Sequence, residues 1–523
     1  MNETHPVRKK ALDHQPLSYQ DVTISDSFWS PRIRLVMEHT IPYQYEQCKA
    51  TGRIDAFRLD WKIGLEPKPH FFWDSDIAKW VEAASYSLGL QYNAELDQLL
   101  DGVIALITSA QQPDGYLNVY FTVVEPERRW KDLRDGHELY CAGHLIEAAI
   151  AHYQATGKRT LLDVMCRYAD HIDSIFGEGQ GKKRGYCGHE EIELALVKLY
   201  RVTGIERYLR LSEFFINERG TQPYYYDLEA QERGTPNLFD EYIFRVGSID
   251  VKEHVQSHMP VREQMEAVGH AVRAMYLYCG MADLAAELGD QSLVRACERL
   301  WQHVAAKRMY ITGGIGSSAI NEGFTSDYDL PNETAYCETC ASIGMVMFNH
   351  RMLQLDCDRK YADLMERALY NGVISGMSQD GQKFFYANPL ASDGTIHRQE
   401  WFGCSCCPPN IARLLTSLGE YVYGQNDSEV IIHLYVQGEG RFRIQGQEVI
   451  LHQSTQFPWD GQTTITVELD HPDGFGIKLR IPEWCSEAKA FINGCETDMA
   501  KELDKGYTVL NRTWENGDTI HLL

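Results

Sequence analysis

Two short stretches of this chain concentrate residues that bind metals. At 401–410 the sequence runs Trp-Phe-Gly-Cys-Ser-Cys-Cys-Pro-Pro-Asn, so Cys404, Cys406 and Cys407 crowd into four positions ahead of the rigid pair Pro408 and Pro409. Adjacent cysteines do not readily bond to each other, and a Pro-Pro pair suits the first turn of a helix. At 332–340 the run Asn-Glu-Thr-Ala-Tyr-Cys-Glu-Thr-Cys packs Glu333, Cys337, Glu338 and Cys340 into the head of a second expected helix. Thiolates and carboxylates together suit Zn²⁺ in tetrahedral coordination. Spacing alone leaves two uses open: a closed structural site, or a catalytic one in which a zinc-bound thiolate is a nucleophile. The Gly-rich insert at 311–324 beside these clusters, and a chain too large to need a metal staple, favour the catalytic use.

Helices must position these clusters. From about residue 33 to 423 apolar residues recur at helical period, broken by short Gly-containing turns. Residues 144–157 and 161–171 read as a helix, a Gly that caps its C-terminus, and a second helix. The pattern repeats at 191–204 with 208–215, and at 268–288 with 293–305. Repeated helix hairpins form an open solenoid or a closed toroid, and roughly a dozen helices would close as an (α/α)6 barrel. Long inserts at 111–134, 221–262 and 312–332, rich in Gly, Pro, Asp and aromatics, are of the kind that builds a site at one end of a barrel. After about Gly424 the pattern alternates, as at 430–436, 463–469 and 476–481, with further strands expected at 508–511 and 518–523. The expected organisation is an N-terminal extension over 1–32 that pairs with the sandwich, a barrel over 33–423, and a β-sandwich over 424–523 that offers a surface for a homodimer.

Composition narrows the partners. A formal net charge of -24 over 523 residues argues against nucleic acid, whose binding draws on clustered Lys and Arg. No signal peptide follows the polar N-terminus and no apolar run spans a bilayer, so a soluble protein off the membrane is expected. Fourteen scattered Cys fit a reducing, cytoplasmic setting.

The residues also carry a resemblance. Gly-Gly-Ile-Gly at 313–316, Asn-Glu-Gly-Phe at 321–324, Leu-Pro-Asn-Glu-Thr-Ala-Tyr-Cys-Glu-Thr-Cys at 330–340 and Cys-Ser-Cys-Cys-Pro-Pro-Asn at 404–410 resemble glycoside hydrolase family 127, the β-L-arabinofuranosidases. The likeness extends over most of the chain, through His-Glu-Leu-Tyr-Cys-Ala-Gly-His at 137–144 and Tyr-Cys-Gly-His-Glu at 186–190. It implies an (α/α)6 barrel with β-sandwich appendages and a retaining, exo-acting glycosidase of small arabinose-containing oligosaccharides or glycosides. Family members carry a longer C-terminal β region than this chain. Carried onto these positions, the resemblance makes Cys406 the nucleophile, Glu322 the general acid and base, and Glu338, Cys340, Cys406 and Cys407 the zinc ligands. It places His144, His189, His270, Glu366 and Tyr386 at the sugar. Apart from it, a lone His on a helix reads as a packing residue, and Glu366 as a solvated helix position. Phe71, Phe72 and Trp73 ahead of Asp74 and Asp76 suit stacking on a sugar ring, or equally the barrel core.

Three other readings use the same residues. A lanthionine-cyclase-like zinc protein would need an open metal position, which three Cys and a Glu do not leave. A metal-free sugar epimerase would put His144, His189 and His270 to catalytic use and leave the cysteines incidental. A carbohydrate-binding scaffold would keep zinc as a structural ion. Another L-sugar glycoside also remains open as substrate.

Overall fold

The structure, a computed structural model, describes residues 12–240 and 249–523; residues 1–11 of the expected N-terminal extension and 241–248 of the 221–262 insert lie outside the described residues. The chain divides into two compact units. One comprises His39–Phe348 and Ala368–Arg413; the other gathers Asn349–Arg367, Leu414–Leu523 and residues 12–38.

The first unit is helical, and its helices differ in how much of their surface they hide. Trp73–Leu90, Glu138–Thr156 and Ala271–Leu288 are buried on nearly all sides, whereas Thr160–Ile175, Glu206–Glu218 and Gln291–His303 bury one face only. The reason is visible in the residues, since the first group is rich in Ala and other small side chains and the second keeps a charged stripe. Trp73–Leu90 packs on Glu138–Thr156, that helix on Ile192–Thr203, and the last on Ala271–Leu288; the three half-exposed helices are in turn the hairpin partners of Glu138–Thr156, Ile192–Thr203 and Ala271–Leu288. The hairpins read from sequence are present. Gly157 and Gly204 take φ of 72° and 69° and donate their N–H groups back to Tyr153 O and Tyr200 O, a left-handed cap that only Gly adopts without strain.

The second unit is strand-rich. Gly438–Ile444, Gln447–Thr455 and Thr463–Leu469 are consecutive antiparallel strands of a seven-stranded sheet, in which Thr519–Leu522 pairs with Thr463–Leu469 and Val22–Ile24 forms one edge. In the six-stranded sheet Gln15–Pro16 pairs with Tyr423–Gln425, and Glu429–Ile432 runs parallel to Asp473–Arg480 with Val430 opposite Ile477. The strand expected over 430–436 stops at Ile432 because the N–H groups of His433 and Leu434 both turn to Val422 O. Residues 349–367, helical by pattern, belong to this unit: Arg359 N donates to Lys505 O at 2.9 Å, and Lys505 pairs with Asp356. Among the described residues no helix is long and apolar enough to cross a membrane.

Candidate active site

Two helix starts in the helical unit converge on the cysteines. Cys407–Thr416 begins directly after Cys406, with Pro408 and Pro409 in its first turn, where missing N–H groups cost nothing. Thr339–Leu355 begins after Glu338, whose carbonyl accepts from Ala341 N and Ser342 N. The segment 384–388 pins this second start, because Thr339 N donates to Tyr386 O at 3.0 Å and Asn388 Nδ2 donates to Cys337 O at 2.9 Å. The first is held by a buried ion triad in which Arg413 Nη1 meets Glu82 at 2.7 Å and Glu147 at 2.8 Å, tying this helix to Trp73–Leu90 and Glu138–Thr156. Gln44 Nε2 donates to Pro408 O at 2.8 Å and closes the other side. Both helix N-termini present positive dipole ends, which favours anionic sulfur and carboxylate there.

The result is a compact donor set. Cys340 Sγ lies 3.6 Å from Cys406 Sγ and 3.4 Å from Cys407 Sγ, which are 3.7 Å apart. Glu338 Oε1 lies 3.5 Å from Cys406 and 3.6 Å from Cys407. Zn–S bonds of about 2.3 Å in a tetrahedron require an S···S edge of about 3.8 Å, close to what these sulfurs show. The sulfurs form no disulfide. Glu338 Oε2 is buried with no hydrogen-bond partner. Burial, and then the neighbouring Cys406, push the Glu338 carboxyl well above the usual carboxylate range; burial and the contacts with Cys340 and Cys406 likewise push Cys407 up. Four buried anions cannot coexist at this spacing without a cation, and a divalent soft metal removes the conflict. The residues present therefore fit zinc.

A cavity of about 400 Å³ opens over this cluster, with Glu338, Cys340, Cys404 and Cys406 in its wall. Tyr386 also lines it: its hydroxyl accepts from Cys406 Sγ at 3.1 Å and donates to Cys404 Sγ at 3.8 Å. Glu322 faces the same space with its side chain 38% exposed; its φ of 50° turns the carboxylate onto His270 Nε2 at 3.2 Å and the Tyr336 hydroxyl at 2.7 Å. His270 caps the helix Ala271–Leu288, accepting at Nδ1 from Val272 N at 3.2 Å, so its proton resides on Nε2 and is donated to Glu322. Burial pushes the Glu322 carboxyl up, but the hydrogen bonds from His270 and Tyr336 and the nearby Arg273 outweigh it and hold the group below the usual carboxylate range.

The remaining wall mixes apolar side chains such as Phe72, Phe239 and Val272 with charged Arg134, Asp135 and Arg273 and a set of histidines. His70, His137, His189, His254 and His270 all line the cavity. Burial depresses each: His70 falls to about 4 and His137 to about 3, and the other three also lie below their ordinary value. Uncharged imidazoles both donate and accept, which suits the hydroxyls of a neutral sugar.

Of the ten residues singled out from sequence, the cavity and the cluster beneath it gather eight: Cys406, Glu322, Glu338, Cys340, Cys407, His189, His270 and Tyr386. His144 is fully buried one layer behind the wall, its ring against Tyr140 at 4.6 Å and its Nδ1 3.0 Å from Glu191 Oε1. Glu366 falls in the strand-rich unit, paired with Arg480 and accepting from Trp484 Nε1 at 3.4 Å. A helical pattern does not reveal which neighbour a face meets, and the pairing with Arg480 was not legible in it. Of the aromatic triplet, Phe72 lines the cavity, Phe71 is buried, and Trp73 carries the Arg53 guanidinium over its ring at 5.0 Å. Sequence reasoning missed Tyr336, Arg273 and His254. Only the position of Tyr336 within the 330–340 motif could have pointed to it.

Residues 21–420 match the β-L-arabinofuranosidase, GH127 catalytic domain, and residues 429–523 match the GH127 middle domain. A non-reducing end β-L-arabinofuranosidase of Bifidobacterium longum subsp. longum is 38% identical over 96% of this chain and 81% of its own. The crystal structure of a GH127 β-L-arabinofuranosidase from Geobacillus stearothermophilus T6 superposes with a TM-score of 0.91 at 50% identity, over 96% of this chain and 81% of that one. A second solved GH127 β-arabinofuranosidase gives 0.89 at 37% identity, over 98% of this chain and 80% of that one. With both its helical and its strand-rich regions matched in this way, the chain belongs to glycoside hydrolase family 127.

Proposed function

We propose that this protein is a cytoplasmic, exo-acting β-L-arabinofuranosidase that retains anomeric configuration, with Cys406 as nucleophile and Glu322 as general acid and base. The observation that carries the reading is the shared cavity wall: one thiol held in a compact cluster of Cys and Glu and one carboxylate held apart from it by its own hydrogen bonds. The helical unit is read as an (α/α)6 toroid, on the strength of its layered helix hairpins, and the strand-rich unit as a β-sandwich. The cytoplasmic assignment rests on fourteen cysteines scattered through a long chain rather than packed as a disulfide framework.

Retention needs a nucleophile on one face of the sugar and an acid on the other. Glu338, Cys340, Cys406 and Cys407 would hold Zn²⁺, which when bound keeps the Cys406 sulfur as thiolate at neutral pH. Tyr386 fixes that sulfur by its hydroxyl, and the neutral imidazoles of His189 and His270 orient the sugar hydroxyls. Entry of the sugar covers the exposed part of Glu322, and this burial raises its pKa so that the carboxylate takes up a proton from solvent. Glu322 then gives its proton to the departing oxygen while the Cys406 sulfur takes the anomeric carbon, forming a thioglycoside. The same carboxylate removes a proton from water, the water oxygen attacks the anomeric carbon, and the C–S bond returns its electrons to sulfur.

The test is hydrolysis of nitrophenyl β-L-arabinofuranoside by protein of measured zinc content, beside Cys406→Ser and Glu322→Gln. Turnover in the wild type and its loss in both variants is the expected result. A zinc-loaded wild type inert on this glycoside, yet active on another L-sugar glycoside, would refute the arabinofuranoside assignment.

A further inference from the structure

A second cavity, of about 460 Å³, adjoins the first, and the two share Ile249, His254 and Ile320 as walls. Both fall in the range of small-molecule sites, about 300–1,000 Å³. The hairpin that carries Glu322, closed by paired backbone bonds between Ser318 and Gly323 at 3.2 and 3.1 Å, separates them. Glu322 turns into the first cavity, whereas Ser318, Asn321 and Phe324 of the same hairpin line the second. An acid that protonates the oxygen joining two groups must stand at the boundary of their two sites.

We propose that the second cavity is the leaving-group subsite, and that its charge selects a neutral, hydroxyl-rich leaving group such as a second sugar against one that bears a carboxylate. The inference rests on the glycosidase reading above. Among the described residues, Asp250, Glu253 and Glu266 line this cavity against a single cation, Arg308, and Arg308 is spent on Asp327 at 2.8 Å and Glu266 at 3.8 Å. The three carboxylates feel one another: burial, then the like charges of Asp250 and Glu266, push Glu253 up. A fourth carboxylate on the leaving group would enter a negative field, while hydroxyls meet Ser318, Thr325 and Asn321. Asn321 donates at Nδ2 to Phe324 O at 2.8 Å, and its Oδ1 has no hydrogen-bond partner among the described residues.

The experiment compares kcat/KM for methyl β-L-arabinofuranoside, β-L-arabinofuranosyl-galactose and the matching β-L-arabinofuranosyl-galacturonic acid at neutral pH. The galactose compound should exceed the uronic acid by about tenfold, with the gap narrowing at about 0.5 M salt. In Glu253→Gln with Glu266→Gln the ratio should fall to within about twofold, each compound being referred to the methyl glycoside in the same protein so that a general loss of activity cancels. Equal rates for the two disaccharides in the wild type, or an unchanged ratio in the double variant, would overturn the subsite while leaving the glycosidase reading intact. A wild type that cleaves none of the three overturns both.

Discussion

Arg480 in the strand-rich unit is fully buried, and it meets Asp363 at 2.6 Å through one nitrogen and Glu366 through another. In the helical unit Glu338, Cys340, Cys406 and Cys407 are as deeply placed, yet the four contact one another rather than any base. Both regions bury several ionisable groups. The first sets positive charge against negative within the protein; the second gathers a carboxyl and three thiols that could hold a metal ion. A buried group that lacks its partner costs far more than one that is matched, so an unmatched cluster persists where a ligand supplies the missing charge. The same contrast separates Glu366, whose carboxylate is satisfied by Arg480, from Glu322, whose carboxylate is hydrogen-bonded but open to a cavity.

The sharpest break of this comparison is Cys406→Ser, expected to lower kcat/KM on the nitrophenyl glycoside on the order of 10⁴-fold while the folded protein persists by circular dichroism. Glu322→Gln should cost on the order of 10²–10⁴-fold, with the loss smaller for nitrophenyl than for methyl leaving groups because the former needs less protonation. Metal removal by a chelator should abolish turnover and lower Tm, both restored by added zinc, whereas the Arg480 cluster predicts no such metal dependence. Glu366→Gln should do the reverse of Cys406→Ser: about 2 kcal/mol of stability lost in urea unfolding, and kcat/KM unchanged within about twofold. A fall in kcat/KM of tenfold or more in a folded Glu366→Gln would restore this residue to the sugar site. The smallest effect concerns pH. His70 and His137 have folded pKa values of about 4 and 3, below the unfolded value, so the unfolded chain takes up protons first. The stability these imidazoles contribute is present above about pH 6.5 and is lost as pH falls toward the folded values, so Tm should drop between pH 7 and 5, less so in His70→Asn.

Much of the site was legible in the chain. Three cysteines before a Pro-Pro pair, and Glu-Thr-Cys at a helix start, announce a metal site because ligand chemistry depends on residue type and short spacing. The helix hairpins were readable for a similar reason, since a Gly cap and a 3.6-residue period are local properties. Where side chains had to be matched across long separations the sequence was silent. Nothing in a lone Glu on a helix distinguishes Glu366, whose partner Arg480 lies 114 residues away, from a sugar ligand. Nothing in a motif His distinguishes His144, buried behind Tyr140, from His189 in the cavity wall.

By itself, then, the sequence determined the chemistry available: soft and acidic ligands for a metal, a carboxylate on a Gly-rich loop, helices in pairs followed by strands. The tertiary structure alone decided which of these groups meet. It brought residues 338–340 and 406–407 within bonding distance of a common point, set Glu322 on His270 and Tyr336, and paired Glu366 with an arginine of its own strand-rich unit. The physical reason is that hydrophobic burial, which assembles the units, is non-directional and roughly proportional to area. It specifies that a face is covered without naming what covers it, and the identity of each neighbour emerges only when all the helices and strands are packed together.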